Sequence, residues 1–298
     1  MENQTNFRSG FVTIWGRPNV GKSTLLNNIL KYKITIVSDK PQTTRKNIKG
    51  ILNLPNCQIV FIDTPGLHVP VDPLGQFLSN QWKSALPDAD CLLYLITPGV
   101  SVQTDEIYFK EIQDFPHPVL LIVNKIDLFK KETIQKTIQE YSQCFPFHDI
   151  IEVSALTGVG LDQLIQKIQN LLPLNPPYFD EEQISDVYER DIAGEIIREK
   201  IWQNIYQEIP YGVEVRVEAM QEKENLISIR AIIYVEKDSH RKIVIGEKGS
   251  MIKIIGTEAR KDLEEFFGKK VFLDLWVKTQ LNWRKKPNVL RRWGYTIR

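Results

Sequence analysis

The sequence predicts an α/β protein: a doubly wound, largely parallel sheet with a phosphate-binding loop, followed by a smaller α+β domain. Three observations carry this reading. Gly16-Arg17-Pro18-Asn19-Val20-Gly21-Lys22-Ser23 fits G-x-x-x-x-G-K-[ST] and sits between an apolar run and a helical pattern. Continuous apolar runs then alternate with helical patterns as far as Leu172. A Pro-rich and then acidic break, 172–182, ends that alternation, and a different order of elements follows.

The first strand is Phe11-Val12-Thr13-Ile14-Trp15, and further strands are expected at 48–53, 58–63, 91–97, 119–124 and 150–153. They are Val/Ile/Leu runs, as expected of strands buried on both faces. Leu54-Pro55-Asn56-Cys57 joins two of them as a hairpin at a sheet edge. Thr24–Leu30 and 161–168 have the spacing of helices. In such sheets ligands sit at the carboxyl ends of the strands, and the chemistry-bearing residues fall there.

Gly16 and Gly21 let the loop curl so that backbone N–H groups face an anion. Gly16, Arg17, Pro18, Asn19, Val20 and Gly21 thus form a phosphate cradle, with Thr24 opening the helix beneath it. Lys22 is expected to reach the β/γ-phosphates, and the Ser23 hydroxyl to hold Mg²⁺. Asp63-Thr64-Pro65-Gly66 directly follows a strand. Asp63 can hold the Mg²⁺ shell, and the Gly66 N–H can approach a γ-phosphate. In Lys40-Pro41-Gln42-Thr43-Thr44-Arg45, Thr44 is favoured over Thr43 as a Mg²⁺ ligand present only in the triphosphate state. Lys22, Thr44 and Gly66 are therefore the catalytic candidates.

Asn124-Lys125-Ile126-Asp127 follows the fifth strand. The Asp127 carboxylate can accept from guanine N1–H and N2–H, whereas adenine would leave it unpaired. Asn124 is expected to tie this loop to the phosphate loop, and the Lys125 stem to lie on the base. Ser154-Ala155-Leu156 ends the last strand, with the Ala155 N–H placed for guanine O6. The cofactors expected are GTP/GDP and Mg²⁺.

The net charge is +1, but its distribution is uneven. Residues 226–298 hold 17 basic and 8 acidic side chains, a surplus of nine that points to nucleic acid or an anionic membrane surface. Three isolated cysteines argue against both a metal cluster and a disulfide framework. The polar first residues are no signal peptide, and no apolar run approaches a membrane span, so a cytoplasmic protein is expected.

After the break the order is helix (190–207), strands 212–219 and 226–234, a helix leading into Gly246-Glu247-Lys248-Gly249, a helix at 257–267 and a strand at 271–277. The two glycines let a sugar–phosphate chain approach, a helix N-terminus and Lys248 face its phosphates, and the run Ile252-Lys253-x-Ile255-Gly256 follows. Ile245, Ile252 and Ile255 are read as the apolar floor for about four splayed bases. The RNA-binding candidates are these residues with Gly246, Glu247 and Gly249. The element order resembles a type II KH domain. The tail, from Trp276 through Asn282-Trp283-Arg284-Lys285-Lys286 to Arg291-Arg292-Trp293-Gly294-Tyr295, interleaves basic and aromatic residues. It reads equally as added phosphate contacts and stacking or as tryptophans docked on the core.

The five nucleotide-site segments, in this order, resemble the P-loop translation-factor-like GTPases. The Pro-x-Thr-Thr-Arg loop, Asn19 and the KH module resemble the Era-like branch. Against the Ras-like pattern, Leu67 stands where a water-orienting glutamine is found, so intrinsic hydrolysis is expected to be slow. His68 is read as incidental. Backbone groups, a cation, another side chain or a partner would then orient the water. The resemblance implies Asn19 as a K⁺ ligand. It also implies GTP-dependent binding to the 3′ end of 16S ribosomal RNA, a role in 30S subunit assembly and maturation, and peripheral contact with the cytoplasmic face of the cell membrane. The expected organisation is a monomer with a GTPase domain at 1–173, a linker at 174–186 and a KH domain at 187–298. Two alternatives stand beside it: a membrane-surface GTPase, and a GTPase acting in RNA modification.

Overall fold

The computed structural model describes residues 6–37, 44–67 and 70–295. Lys40 to Thr43 and His68 lie outside the described residues. Chain contacts divide it into two compact units, one built mainly from residues up to Asp186 and one mainly from Val187 onward.

The first unit is a six-stranded sheet: β1 (Arg8–Gly16), β2 (Ile48–Leu54), β3 (Cys57–Asp63), β4 (Cys91–Ile96), β5 (Val119–Val123) and β6 (Asp149–Glu152). The order is β2-β3-β1-β4-β5-β6, and only β2 runs antiparallel, as the hairpin predicted. β1 begins at Arg8, three residues before its apolar run, because Arg8, Ser9 and Gly10 pair with the start of β3. All seven residues of β3, and all of β4 and β5, are buried, which is why they read as continuous apolar runs.

Helices α1 (Lys22–Leu30), α2 (Pro73–Ser84), α3 (Glu106–Ile112), α4 (Lys131–Cys144) and α5 (Leu161–Leu171) connect the strands. α1 buries Leu25, Leu26 and Ile29, and α5 buries Leu161, Leu164 and Ile168, one apolar stripe each. Trp15 meets Trp82 edge-on at 5.0 Å and Tyr94 at 6.4 Å. Such pairs add about 0.5–1.5 kcal/mol each beyond their buried area, so the aromatic cluster fixes the sheet that positions the site. Burial pushes the Cys57 thiol up to about 11 and the Cys91 thiol up to about 12, as expected of inert core residues.

The segment expected as a linker is bound along this sheet. The buried Gln58 amide donates to the Phe179 carbonyl at 2.8 Å and accepts from the Tyr178 and Phe179 N–H groups at 2.7 and 3.0 Å. Further on, Ile51 N donates to Ile184 O at 2.8 Å, beside an antiparallel bridge between Gly50 and Ser185. Composition marks 174–186 as a linker, but Ser9 and Gln58 and the edge of β2 tie parts of it to the sheet.

The second unit holds α6 (Glu189–Asn204), β7 (Glu214–Glu222), β8 (Leu226–Val235), α7 (Asp238–Ile245), α8 (Ser250–Phe267), β9 (Lys270–Thr279) and α9 (Pro287–Arg292). Its sheet is β7-β8-β9, with β7 antiparallel and β9 parallel to β8. The core joins Ile192, Ile196, Ile197 and Ile201 of α6 to Ile229, Ala231 and Ile233 of β8 and to Ile255, Ala259 and Leu263 of α8. The parallel β8–β9 pairing requires a long crossover, which α7 and α8 supply. The tail docks: Trp283 is fully buried and donates to Gly212 O at 2.9 Å, while Trp293 and Tyr295 are 5% and 3% exposed. For these rings the core reading holds. Lys285, Lys286, Arg291 and Arg292 stay exposed.

Candidate functional site

The phosphate loop runs from the end of β1 to the start of α1. Gly21 has φ +100°, and a Cβ there would collide with the Asn124 side chain. Asn124, 1% exposed, donates to Val20 O at 2.7 Å. Thus the expected tie between the guanine loop and the phosphate loop is present and needs glycine at 21. Lys125 has φ +64° and donates from Nζ to Asn19 O at 2.7 Å. Two bonds therefore lock the loops together, leaving the Asp127 carboxylate exposed beyond them.

Asn124 Oδ1 accepts from the Ala155 N–H at 2.8 Å. That bond holds the Ser154-Ala155-Leu156 loop against the guanine loop. Ser154 is buried, with its hydroxyl accepting from Thr157 N at 3.2 Å, and Leu156 is 74% exposed. Asn28 was not singled out from sequence, yet its Nδ2 donates to Ala155 O at 2.9 Å. Its neighbour Asn27 donates to Thr35 O at 2.8 Å and accepts from Ile34 and Thr35 N–H, both at 3.1 Å. On a helix both read as ordinary polar positions, and only the fold reveals their partners.

Lys22 is 6% exposed and donates to the carbonyls of Gly16 and Arg17, each at 2.9 Å. The ammonium spans its own loop and would exchange these carbonyls for phosphate oxygens. Ser23 Oγ donates to Asp63 Oδ2 at 2.7 Å and lies 3.0 Å from Thr44 Oγ1, which lies 3.4 Å from the same carboxylate oxygen. Sequence placed these three residues around Mg²⁺, and the fold brings them together. Asp63 Oδ1 is buried without a hydrogen-bond partner. An orphaned anionic oxygen beside two hydroxyls is a hard-donor set that fits Mg²⁺. When bound, the ion would neutralise phosphate charge.

Gly66 passes so close to the phosphate loop that a Cβ would sit 2.7 Å from Pro18 N. Leu67 N donates to Gly16 O at 3.1 Å, while its side chain is 2% exposed in the aromatic core. Its contribution is therefore backbone and packing, and it offers the nucleotide no side chain. Thr64 is likewise structural: fully buried, it donates to Ile14 O at 2.8 Å. Pro65 is buried beside it, and Thr24 lies on the first turn of α1. Arg17 reaches away from the cradle to an ion pair with Asp105, which is 2% exposed and also accepts from Tyr141 OH at 2.7 Å. No local pattern could have revealed that pair, since the partners are 88 residues apart.

Charge is finely held here. Burial pushes Asp63 up to about 6, partly offset by Lys22 and the two hydroxyls. Burial also pulls Lys22 down to about 8, partly offset by Asp63. A cation needs Asp63 ionised, so protons compete below about pH 6; phosphate needs Lys22 charged, so affinity fades above about pH 8. The expected kcat/KM profile of the free protein is a bell with limbs near these values. They belong to the coupled pair. A profile flat between about pH 5 and 9 would contradict this.

In the second unit, Gly246 (φ +74°), Lys248 (φ +51°) and Gly249 (φ +81°) turn the chain from α7 into α8. From one turn into α8 onward, a groove of about 360 Å³ is lined by Ile252, Lys253, Gly256 and Arg260 of α8 and by Phe272, Leu273 and Leu275 of β9. Glu247, Lys248 and Lys253 are exposed, Ile252 is half-buried on the groove, and Ile245 packs on the core. Ile255 corrects the expected floor: it is fully buried in the core, and Leu273 and Leu275 of the edge strand take its place. Position 255 falls on the inward stripe of α8, which begins at Ser250, seven residues before the helix start expected from sequence.

Comparison with known proteins agrees with this geometry. A family described as 50S ribosome-binding GTPase matches residues 11–125, and the KH domain family matches 208–284. GTPase Era of Thermoanaerobacter sp. (strain X514) is 46% identical over 293 residues, covering 97% of each chain. That of Caldanaerobacter subterraneus subsp. tengcongensis is 45% identical over 294 residues, covering 98% of this chain and 99% of the other. Among solved structures, Era in complex with MgGDPNP and nucleotides 1506–1542 of 16S ribosomal RNA superposes with a TM-score of 0.93 at 37% identity. A single-residue variant of Aquifex aeolicus Era bound to GDP and AlF4⁻ gives the same values, and each match covers 98% of this chain and 100% of the other. With both modules matched in order and relatives this similar over their whole length, the chain belongs to the GTPase Era family.

Proposed function

We propose that this GTPase binds the 3′ end of 16S ribosomal RNA through the groove beside Gly246–Gly249 and assists assembly and maturation of the 30S subunit. The nucleotide module is taken as 1–173, the joining segment as 174–186 and the RNA module as 187–298. The observation that carries the reading is a GXXG turn leading into a helix whose next residues, with Lys253 and Arg260 exposed, line a groove against β9, in one chain with a guanine-type nucleotide site. A relative solved with MgGDPNP and nucleotides 1506–1542 of 16S ribosomal RNA supports the identity of the strand. Crosslinking in cells tests it. Recovered reads should cluster at the 3′ end of 16S ribosomal RNA and vanish in Gly249→Asp; reads elsewhere, or reads unchanged by that substitution, would refute it.

Asn19 is proposed as a K⁺ ligand beside the phosphates. It is exposed, has φ +64°, and has its carbonyl held by Lys125. GTP hydrolysis should run several-fold faster in K⁺ than in Na⁺ buffer, and equal rates would sink the assignment. A peripheral membrane contact on the cytoplasmic face is the second reading, favoured by the four exposed cations Lys285, Lys286, Arg291 and Arg292. Among the described residues no helix is long and apolar enough to cross a membrane. Flotation with anionic vesicles, scored against RNA binding over a range of salt, separates the two.

A further inference from the structure

We propose that the outer face of the β7–β8–β9 sheet is a second contact surface for single-stranded RNA, on which Phe272 and Trp276 stack bases. The inference rests on the RNA reading of the groove and extends its footprint past the GXXG turn. β9 turns Val271 and Val277 to the core, while Phe272 and Trp276 are 60% and 56% exposed. Four residues apart on a strand, the two rings share one face at a spacing of roughly 13 Å.

Trp276 is held in place. Its indole N–H donates to Asp274 Oδ2 at 3.1 Å, and the same oxygen accepts from Arg230 Nε at 3.0 Å, across the β8–β9 register. The carboxylate on this face is thereby neutralised, and the ring is fixed before anything binds. A fixed aromatic loses little conformational freedom when a base stacks on it. The other end of the same face is already covered by the tail: Trp293 lies 4.8 Å from Tyr234, and Arg216 donates to Trp293 O at 3.2 Å. That cover leaves Phe272 and Trp276 open.

Continuity and charge identify the occupant. Phe272 also lines the groove, so a strand leaving Lys253 and Arg260 meets that ring next. Arg230, Lys270 and Lys278 stand exposed around the two rings. Alternating aromatic faces and cations match the bases and phosphates of one nucleic-acid strand. An apolar protein partner would have to desolvate the Arg230–Asp274 and Lys270–Glu264 ion pairs.

Tryptophan emission gives a direct readout, because the other five tryptophans are at most 5% exposed. The test uses the full chain with nucleotides 1506–1542 of 16S ribosomal RNA and with overlapping tetranucleotides from that fragment. The long fragment should shield Trp276 from acrylamide quenching. Trp276→Ala should weaken its binding about tenfold while leaving the best tetranucleotide unchanged, and Trp276→Phe should recover most of the loss; Phe272→Ala, which also touches the groove, should weaken the fragment by as much or more. If both alanine variants bind the fragment like the parent, or Trp276 stays quenchable in the complex, the inference fails and the face is left to a protein. If the parent binds neither RNA, the RNA reading fails with it.

Discussion

Asp127→Asn should lower GTP affinity by about two to four powers of ten and bring xanthine nucleotides into range. The carboxylate is the acceptor for two guanine donors, and hydrogen bonds to a charged group contribute about 1.5–3 kcal/mol each. An amide keeps one acceptor and presents N–H to the guanine N2 amine, a donor facing a donor. Xanthine carries a carbonyl there, so the same amide becomes a match. The effect is confined to recognition: Asp127 is exposed, and its loop is set by Asn124 and Lys125, whose bonds to Val20 and Asn19 the substitution leaves alone. Titration with guanine and xanthine diphosphates, beside a melting curve, checks it. Unchanged guanine affinity would remove Asp127 from the base site.

Gly249→Asp should abolish RNA binding, a loss of about a hundredfold or more, in a protein that folds normally. Gly246→Asp should damage both. The two glycines look equivalent in sequence and are not equivalent in space. A Cβ at Gly246 would sit 2.6 Å from Met251 N and 2.8 Å from Ser250 Oγ, so any side chain must displace the start of α8. At Gly249 nothing lies within 4 Å, and the only penalty is φ +81°. Asp is among the residues that tolerate that region best, at about 1–2 kcal/mol. The new carboxylate stands at the amino end of the 18-residue helix α8, where a phosphate would otherwise sit. It repels the backbone and takes the helix N–H groups for itself. RNA titration of both variants, with unfolding midpoints, checks the contrast; equal unfolding midpoints would contradict it.

Elements whose signal is local were legible from sequence. The phosphate loop, the strand-end Asp63 and Asn124, and the Gly246–Gly249 turn are short patterns set by backbone geometry, and the fold places them as read. What was hidden depends on partners far along the chain. Gln58 fixing residues 178 and 179, and Arg17 meeting Asp105, are single polar residues whose meaning appears only once strands are paired. Ile255 differs from expectation for a related reason: an apolar residue near a groove can face either way. The tail's tryptophans left two readings open because stacking on bases and stacking on a core require the same rings. Trp283 and Trp293 went to the core, and Trp276 did not.

We propose that nucleotide state sets RNA affinity in this chain. Ser23, Thr44 and Asp63 already converge around one carboxylate oxygen. A triphosphate with Mg²⁺ would hold all three, whereas a diphosphate offers Thr44 no γ-phosphate to share. The decisive measurement is the affinity of the full chain for nucleotides 1506–1542 of 16S ribosomal RNA, loaded in turn with GDP and with a non-hydrolysable GTP analogue. Binding is expected to be at least about tenfold tighter in the triphosphate state, a coupling of about 1.4 kcal/mol. Equal affinities in the two states, with Thr44→Ala also without effect, would contradict it.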